Sequence, residues 1–225
     1  MKLIKQTNNP AESLTKILHE SLSNHRRVIW LVSGGSNVPI SIKAMDQLDE
    51  ALTERLVVMQ IDERYVNHDS DDCNWHQLIA GGFALKKATS FPILLPDSPS
   101  RELTRTAYNE TLHREFALAD CSIGQFGIGS DGHTAGIKPH SPATDSRELV
   151  ADYTWEDYER ITLTFPAIRQ LTTAVAFVYG EDKRPVLDQL ASDSPPPFEV
   201  MPASILRTIP NSIIYNDHIE SEVAV

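Results

Sequence analysis

The strongest constraint on the fold comes from apolar runs that do not alternate. Val28-Ile29-Trp30-Leu31-Val32 and Leu56 to Ile61 are almost continuously apolar, and Cys121 to Ile128 and Thr173 to Tyr179 are largely so. A strand with one wet face alternates apolar and polar side chains, whereas a strand covered on both faces does not. Helical spacing fills the intervals. Ala11, Leu14, Leu18 and Leu22 precede the first run, and Val38, Ile42, Met45, Leu48 and Leu52 come after it. Tyr108, Leu112, Phe116 and Ala119 precede the third, and Lys183 to Leu190 come after the fourth. Buried strands alternating with helices predict an α/β fold with a mostly parallel sheet. Further strands are expected: an edge strand over Phe91 to Leu95, a half-buried one through Ile161, Leu163 and Phe165, and a last one over Ser212 to Tyr215. No linker or repeat divides the chain, so residues 1–225 are expected to form one domain, with a frayed acidic tail over 215–225.

Charge narrows the partners. Lys and Arg number 20 and Asp and Glu 31, a formal net charge of −11. That argues against nucleic acid, where affinity comes from basic groups meeting phosphates. A locally positive pocket for a small anion is still allowed. The start has no signal-like apolar segment, and no run is long enough to span a bilayer. Cys73 and Cys121 are expected as free thiols of a reducing compartment. Together these features predict a soluble cytoplasmic protein with no nucleic-acid or membrane partner. They do not fix an oligomeric state, and a monomer is the default expectation.

Three polar clusters fall at predicted strand ends. In parallel α/β sheets ligands sit at the carboxyl edge. Ser33-Gly34-Gly35-Ser36 joins the first buried strand to a helix. It is either an anion-binding turn or a tight turn capped by Ser36 or Asn37. It lacks the Gly-Lys-Ser/Thr of a Walker loop. Asp62-Glu63-Arg64 closes the second strand. Asp62 is an acid/base or a helix cap, and Arg64 is a phosphate clamp or part of a surface ion-pair cluster. Gly127-Ile128-Gly129-Ser130-Asp131-Gly132 fits G-x-G-x-x-G, but Pro139 comes too soon for the long helix of a dinucleotide site. The alternative is a flexible loop aiming Asp131 and His133 into one cleft, with His133 suited to proton transfer. The Asn67–His76 stretch looks metal-rich. It fails the EF-hand pattern at Asp72 and Leu78, and Cys73-x-x-His76 lacks a second zinc pair, so no metal is expected there.

In this order the clusters resemble the 6-phosphogluconolactonases, which share a superfamily with the glucosamine-6-phosphate deaminases. Gly127-Ile128-Gly129-x-Asp131-Gly132-His133-Thr134-Ala135 is the most specific match. Arg160-Ile161-Thr162-Leu163-Thr164 and Gly180-Glu181-Asp182-Lys183 extend it, so that it spans about residues 28–190. The resemblance implies a three-layer α/β/α fold with a Rossmann-like sheet. It implies hydrolysis of a small phosphorylated sugar lactone without metal or cofactor. His133 would be the general base that activates water, and Asp131 would orient it. The Ser33–Ser36 loop, Arg64, Arg160 and Lys183 would hold the phosphate or neighbouring oxygens.

The pattern departs in places. Asn37-Val38-Pro39 replaces Ser-Thr-Pro, and Cys73-Asn74 replaces Ser-Asn. Gly136-Ile137-Lys138-Pro139 replaces an apolar stretch ending in Phe-Pro, so Lys138 either adds charge at the cleft or faces solvent. Deaminases typically carry Asn-Glu-Pro there, and this chain lacks that acid. A non-catalytic sugar-phosphate sensor is a third reading. It would keep Arg64, Arg160 and Lys183 but would not need His133.

Overall fold

The computed structural model describes residues 1–6, 8–156 and 158–223. Its strands are β1 (Lys2–Lys5), β2 (Val28–Val32), β3 (Leu56–Gln60), β4 (Asp62–Arg64), β5 (Thr89–Phe91), β6 (Cys121–Phe126), β7 (Val150–Trp155), β8 (Tyr158–Leu163), β9 (Thr173–Val178), β10 (Asn211–Asn216) and β11 (Ser221–Glu222). Its helices are α1 (Pro10–Asn24), α2 (Val38–Gln47), α3 (Glu50–Thr53), α4 (Asn74–Ala80), α5 (Arg101–Leu118), α6 (Phe165–Ile168) and α7 (Arg184–Ala191).

Among the described residues the main sheet has the order β11-β1-β10-β9-β6-β2-β3-β5. Its pairings are parallel except that of β1 with β11. The apolar runs divide between two cores as burial on both faces requires. Val28, Trp30 and Val32 of β2 pack with Leu14, Leu18 and Leu22 of α1 and Met45 of α2. Ile29 and Leu31 point the other way, toward the core that holds Leu112 of α5 and Leu187 of α7. The three-layer α/β arrangement expected from the sequence is present.

Three details differ from expectation. The edge strand ends at Phe91, because Pro92 cannot donate a ladder hydrogen bond. Buried Ile93 and Leu94 then turn into the core. The run through Ile161 belongs to a separate sheet, β4-β8-β7. There Ile161, Thr162 and Leu163 are all buried. The Thr162 hydroxyl is covered by the loop after β6 and accepts from the Gly136 N–H at 2.9 Å. Finally, the acidic tail is not frayed through residue 223. Ser221 and Glu222 pair with Leu3 and Lys2. Val223 is buried and its N–H donates to the Met1 carbonyl at 2.9 Å. An exposed edge strand offers unpaired backbone groups, and these short partners cover it. Residues 224–225 of that expected tail lie outside the described residues. No described helix is long and apolar enough to cross a membrane.

β2 sits at the switch point of the sheet. From β2 the chain moves outward through β3 to β5, then returns to the other side of β2 to lay down β6, β9 and β10. The loops after β2 and β6 therefore diverge and leave a crevice at the carboxyl edge.

Candidate active site

That crevice is a cleft of about 280 Å³. The loop after β2 forms one wall. Gly35 has φ of +60°, a conformation other residues adopt only under strain. The turn passes into α2 without a side-chain cap at either Gly34 or Asn37. The Asn37 and Val38 N–H groups close the turn on the Gly34 and Gly35 carbonyls, so an anion would meet the N–H groups ahead of them, at Gly35 and Ser36. Gly34 has a second reason to be glycine, since a Cβ there would lie 2.1 Å from Asn74 Oδ1. Asn37 is buried and does not cap; its Oδ1 accepts from Gln125 Nε2 at 3.2 Å.

β4 and β8 form a second wall. Strand alternation sends Asp62 and Arg64 to the cleft and Glu63 into the interior. The antiparallel register sets Arg64 directly opposite Arg160. Like charges directly opposite each other are destabilising unless something anionic lies between them. Tyr158 lies under both, its ring centre 4.7 Å from the Arg64 guanidinium carbon and 5.7 Å from that of Arg160. Arg64 also reaches Asp72 at 3.3 Å. The Arg160 Nε is buried with no hydrogen-bond partner among the described residues. Asp62 lines the same cleft. Burial, and next the charge of Glu63, push Asp62 up to about 6 against the pull of Arg160 and Arg64.

The loop after β6 brings His133 and Asp131 together. It folds back on itself, with the Gly129 N–H donating to the His133 carbonyl at 2.9 Å and Ile128 bridging Thr134. No dinucleotide-type helix succeeds it, as the early Pro139 requires. His133 faces the cleft. Its Nδ1 is 2.5 Å from Asp131 Oδ1, and its backbone N–H donates to the same oxygen at 3.1 Å. Burial pushes Asp131 upward, but the His133 N–H, the His133 ring and the Lys138 ammonium outweigh it and hold the carboxyl down at about 2. An ionised Asp131 can only accept, so Nδ1 carries the proton and Nε2 is the free base. Burial first, then Lys138 and Arg160, hold the imidazole below its ordinary value against the pull of Asp131.

Of the residues singled out in the sequence, Ser33, Gly34, Gly35, Ser36, Asp62, Arg64, His133, Arg160 and Lys183 line this one cleft. Asp131 stands behind His133 and touches it. Lys183 closes the far end, its Nζ 2.9 Å from Asp182. Sequence reasoning missed Asn74 and Tyr179, which also line the cleft. Tyr179 comes directly after the end of β9, and its hydroxyl is buried with no partner among the described residues. Its signal is its position, the first residue beyond a strand at the carboxyl edge. Lys138 does not face solvent. Its side chain is 19% exposed and its ammonium contacts Asp131 Oδ2 at 3.1 Å. In the 67–76 loop, as elsewhere among the described residues, no group of His, Cys, Asp and Glu is gathered to hold a metal ion.

The protein is thus of the parallel α/β class, with a switch-point cleft that joins paired arginines to a histidine–carboxylate couple. Known proteins narrow that class. The family model described as glucosamine-6-phosphate isomerases/6-phosphogluconolactonase matches residues 5–214, and the chain belongs to this family. A protein named probable 6-phosphogluconolactonase 1 from Arabidopsis thaliana is 26% identical over 204 residues, 82% of this chain and 75% of that one. A 6-phosphogluconolactonase from Helicobacter pylori is 28% identical over 196 residues, 82% of each chain. The crystal structure of a 6-phosphogluconolactonase from Thermotoga maritima superposes with a TM-score of 0.78 at 19% identity, covering 95% of this chain and 98% of that one. At that identity the superposition speaks for the fold alone.

Proposed function

We propose that the protein hydrolyses 6-phospho-D-glucono-1,5-lactone to 6-phosphogluconate. The observation that carries this reading is the pairing of Arg64 with Arg160, one of them with a buried unpartnered Nε, across the cleft from a histidine whose Nε2 is free. The arginines, Lys183 and the turn at Ser33–Ser36 hold the phosphate. This fixes the lactone carbon near His133. The imidazole Nε2 takes a proton from water as the water oxygen attacks the carbonyl. The tetrahedral oxyanion then collapses and expels the ring oxygen, which takes the proton back from the imidazolium. Asp131 fixes the tautomer and offsets the transient positive charge. Asp62, beside the arginines, meets a sugar hydroxyl. Because a lactone is already electrophilic, positioning plus one base is enough.

The family also includes glucosamine-6-phosphate isomerases by description, so the substrate is the point to test. The purified chain should release acid from 6-phosphogluconolactone well above the spontaneous rate. It should release little ammonia from glucosamine 6-phosphate, because Lys138 stands where the resemblance would require an acid. The reverse pattern overturns the assignment, and binding of both sugars without turnover would make the protein a sensor.

The phosphate role of Arg160 has its own check. Arg160→Met removes a charge-assisted contact of about 1.5–3 kcal/mol, so KM should rise by about 10–100-fold. The kcat should stay within about threefold, because binding shared by ground and transition states affects KM. A loss confined to kcat would show that Arg160 touches the reacting carbon instead.

A further inference from the structure

We propose that Lys138 is a positioning residue for the His133–Asp131 couple: its ammonium clamps the free oxygen of the carboxylate and opposes a positive charge on the imidazole ring. The inference rests on the lactonase reading for its role in turnover, but its electrostatic content can be measured without turnover.

The geometry is specific. Lys138 Nζ lies 3.1 Å from Asp131 Oδ2 and 3.2 Å from His133 Nδ1. Asp131 Oδ1 already accepts from the His133 ring and backbone. Each carboxylate oxygen therefore has its own partner, and the carboxylate plane is fixed. Nδ1 cannot both donate to Asp131 and accept from Lys138. The ammonium hydrogen bond goes to Oδ2, and its approach to Nδ1 is a contact between charges. The lysine is held in place from its backbone. Its N–H donates to the Tyr153 hydroxyl at 3.3 Å, and that hydroxyl donates to the Gly136 carbonyl.

A carboxylate beside histidine ordinarily stabilises the imidazolium, which costs the enzyme its free base as pH falls. Here a cation beside the same ring works against that. Other charges that face the site are Arg160 of β8, Asp62 and Arg64 of β4, and Lys183 beyond β9. Arg160 pushes the ring in the same direction as Lys138. Burial, and next the charge of Glu63, push Asp62 up to about 6, so it contributes to the acid limb as well. It is common to wild type and variant, so a difference between them reports on Lys138. Spontaneous lactone hydrolysis slows as hydroxide falls. A base that stays unprotonated at lower pH therefore works where the uncatalysed route is weakest.

The test compares Lys138→Met with Lys138→Arg. The His133 ring is titrated by NMR, with its resonance assigned by loss in His133→Gln. In Lys138→Met the midpoint should rise by about one pH unit, a tenfold change in the protonation equilibrium, and Lys138→Arg should stay near wild type. In the lactone assay, the kcat/KM loss of Lys138→Met near pH 5.5 should exceed its loss near pH 7.5 by about fivefold or more. KM for the phosphate end should not carry the difference. An unmoved or lowered His133 midpoint in Lys138→Met overturns the inference, as does an equal loss at both pH values. If the wild-type chain shows no lactone turnover, the functional reading falls while the NMR result still decides the electrostatic one.

Discussion

His133→Gln should lower kcat for 6-phosphogluconolactone by about 10²–10⁴-fold, the usual contribution of a positioned general base. Glutamine keeps the bulk of the ring and some hydrogen-bonding ability but has no basic nitrogen. The phosphate contacts proposed for Arg64, Arg160 and Lys183 come from other elements, so KM should change less than about threefold. The pH profile should change with the rate. The wild-type acid limb includes protonation of His133, whose midpoint lies below the ordinary histidine value through burial, Lys138 and Arg160. Rate is lost as pH falls through that midpoint, because the imidazolium cannot take a proton from water. In His133→Gln that limb should vanish and leave only the contribution of Asp62 and the bound phosphate. The measurement is a corrected initial rate, with spontaneous hydrolysis subtracted at each pH. A variant that keeps its kcat would show that water is activated by another group, and Asp62, at about 6, is the first to examine.

Much of this site is legible in the sequence because it is assembled from strand ends. Uninterrupted apolar runs locate β2, β3, β6 and β9, and the residues just beyond a buried parallel strand must face the carboxyl edge. Ser33–Ser36 and Gly129–His133 fall at the cleft for that reason. Asp62–Arg64 reaches it for a different one. It is not a loop at a strand end but a strand of the second sheet, and only the cross-strand register with Arg160 explains why two arginines meet. Register depends on contacts distant in sequence, so no local pattern shows it. Lys138 is ambiguous for a similar reason. A lysine before a proline is compatible with solvent, and only the fold-back of the loop after β6 turns it onto Asp131. Strands β1 and β11 leave no clear local signal because they are short and carry charged residues; β1 is held by its pairing with β10, and β11 by its pairing with β1.

The other large effect should come from Glu63, a residue at the centre of the Asp62-Glu63-Arg64 cluster that faces away from the cleft. It is 0% exposed. Its carboxylate accepts from the backbone N–H groups of Arg64 at 2.8 Å, Asn74 at 2.7 Å and Trp75 at 2.9 Å. It also accepts from Gln60 Nε2 at 2.8 Å and from the Cys73 thiol at 3.3 Å. Glu63 thus ties the end of β3 to the first turn of α4, whose N-terminal N–H groups need acceptors. Burial raises its pKa, while the Asn74 N–H, the Gln60 amide and the Trp75 N–H pull the other way. Glu63→Ala leaves those donors unpaired in the interior. An uncompensated buried donor costs about 1–3 kcal/mol, but water can enter the space left behind, so the total should be about 3–5 kcal/mol. For a chain of this length that is a fall in Tm of about 10 °C. Glu63→Gln should lose less, since its amide oxygen still accepts. Cys73 offers an independent readout. Burial first, and then Glu63, raise its thiol to about 11, so it should resist alkylation in the native protein and react in Glu63→Ala. Because Asn74 packs against Gly34 in the Ser33–Ser36 turn, proposed to hold the phosphate, surviving Glu63→Ala protein should also show a raised KM. A variant with wild-type Tm and an unreactive Cys73 would mean that α4 holds its place without this carboxylate, and that the acidic centre of the cluster has no role in shaping the cleft.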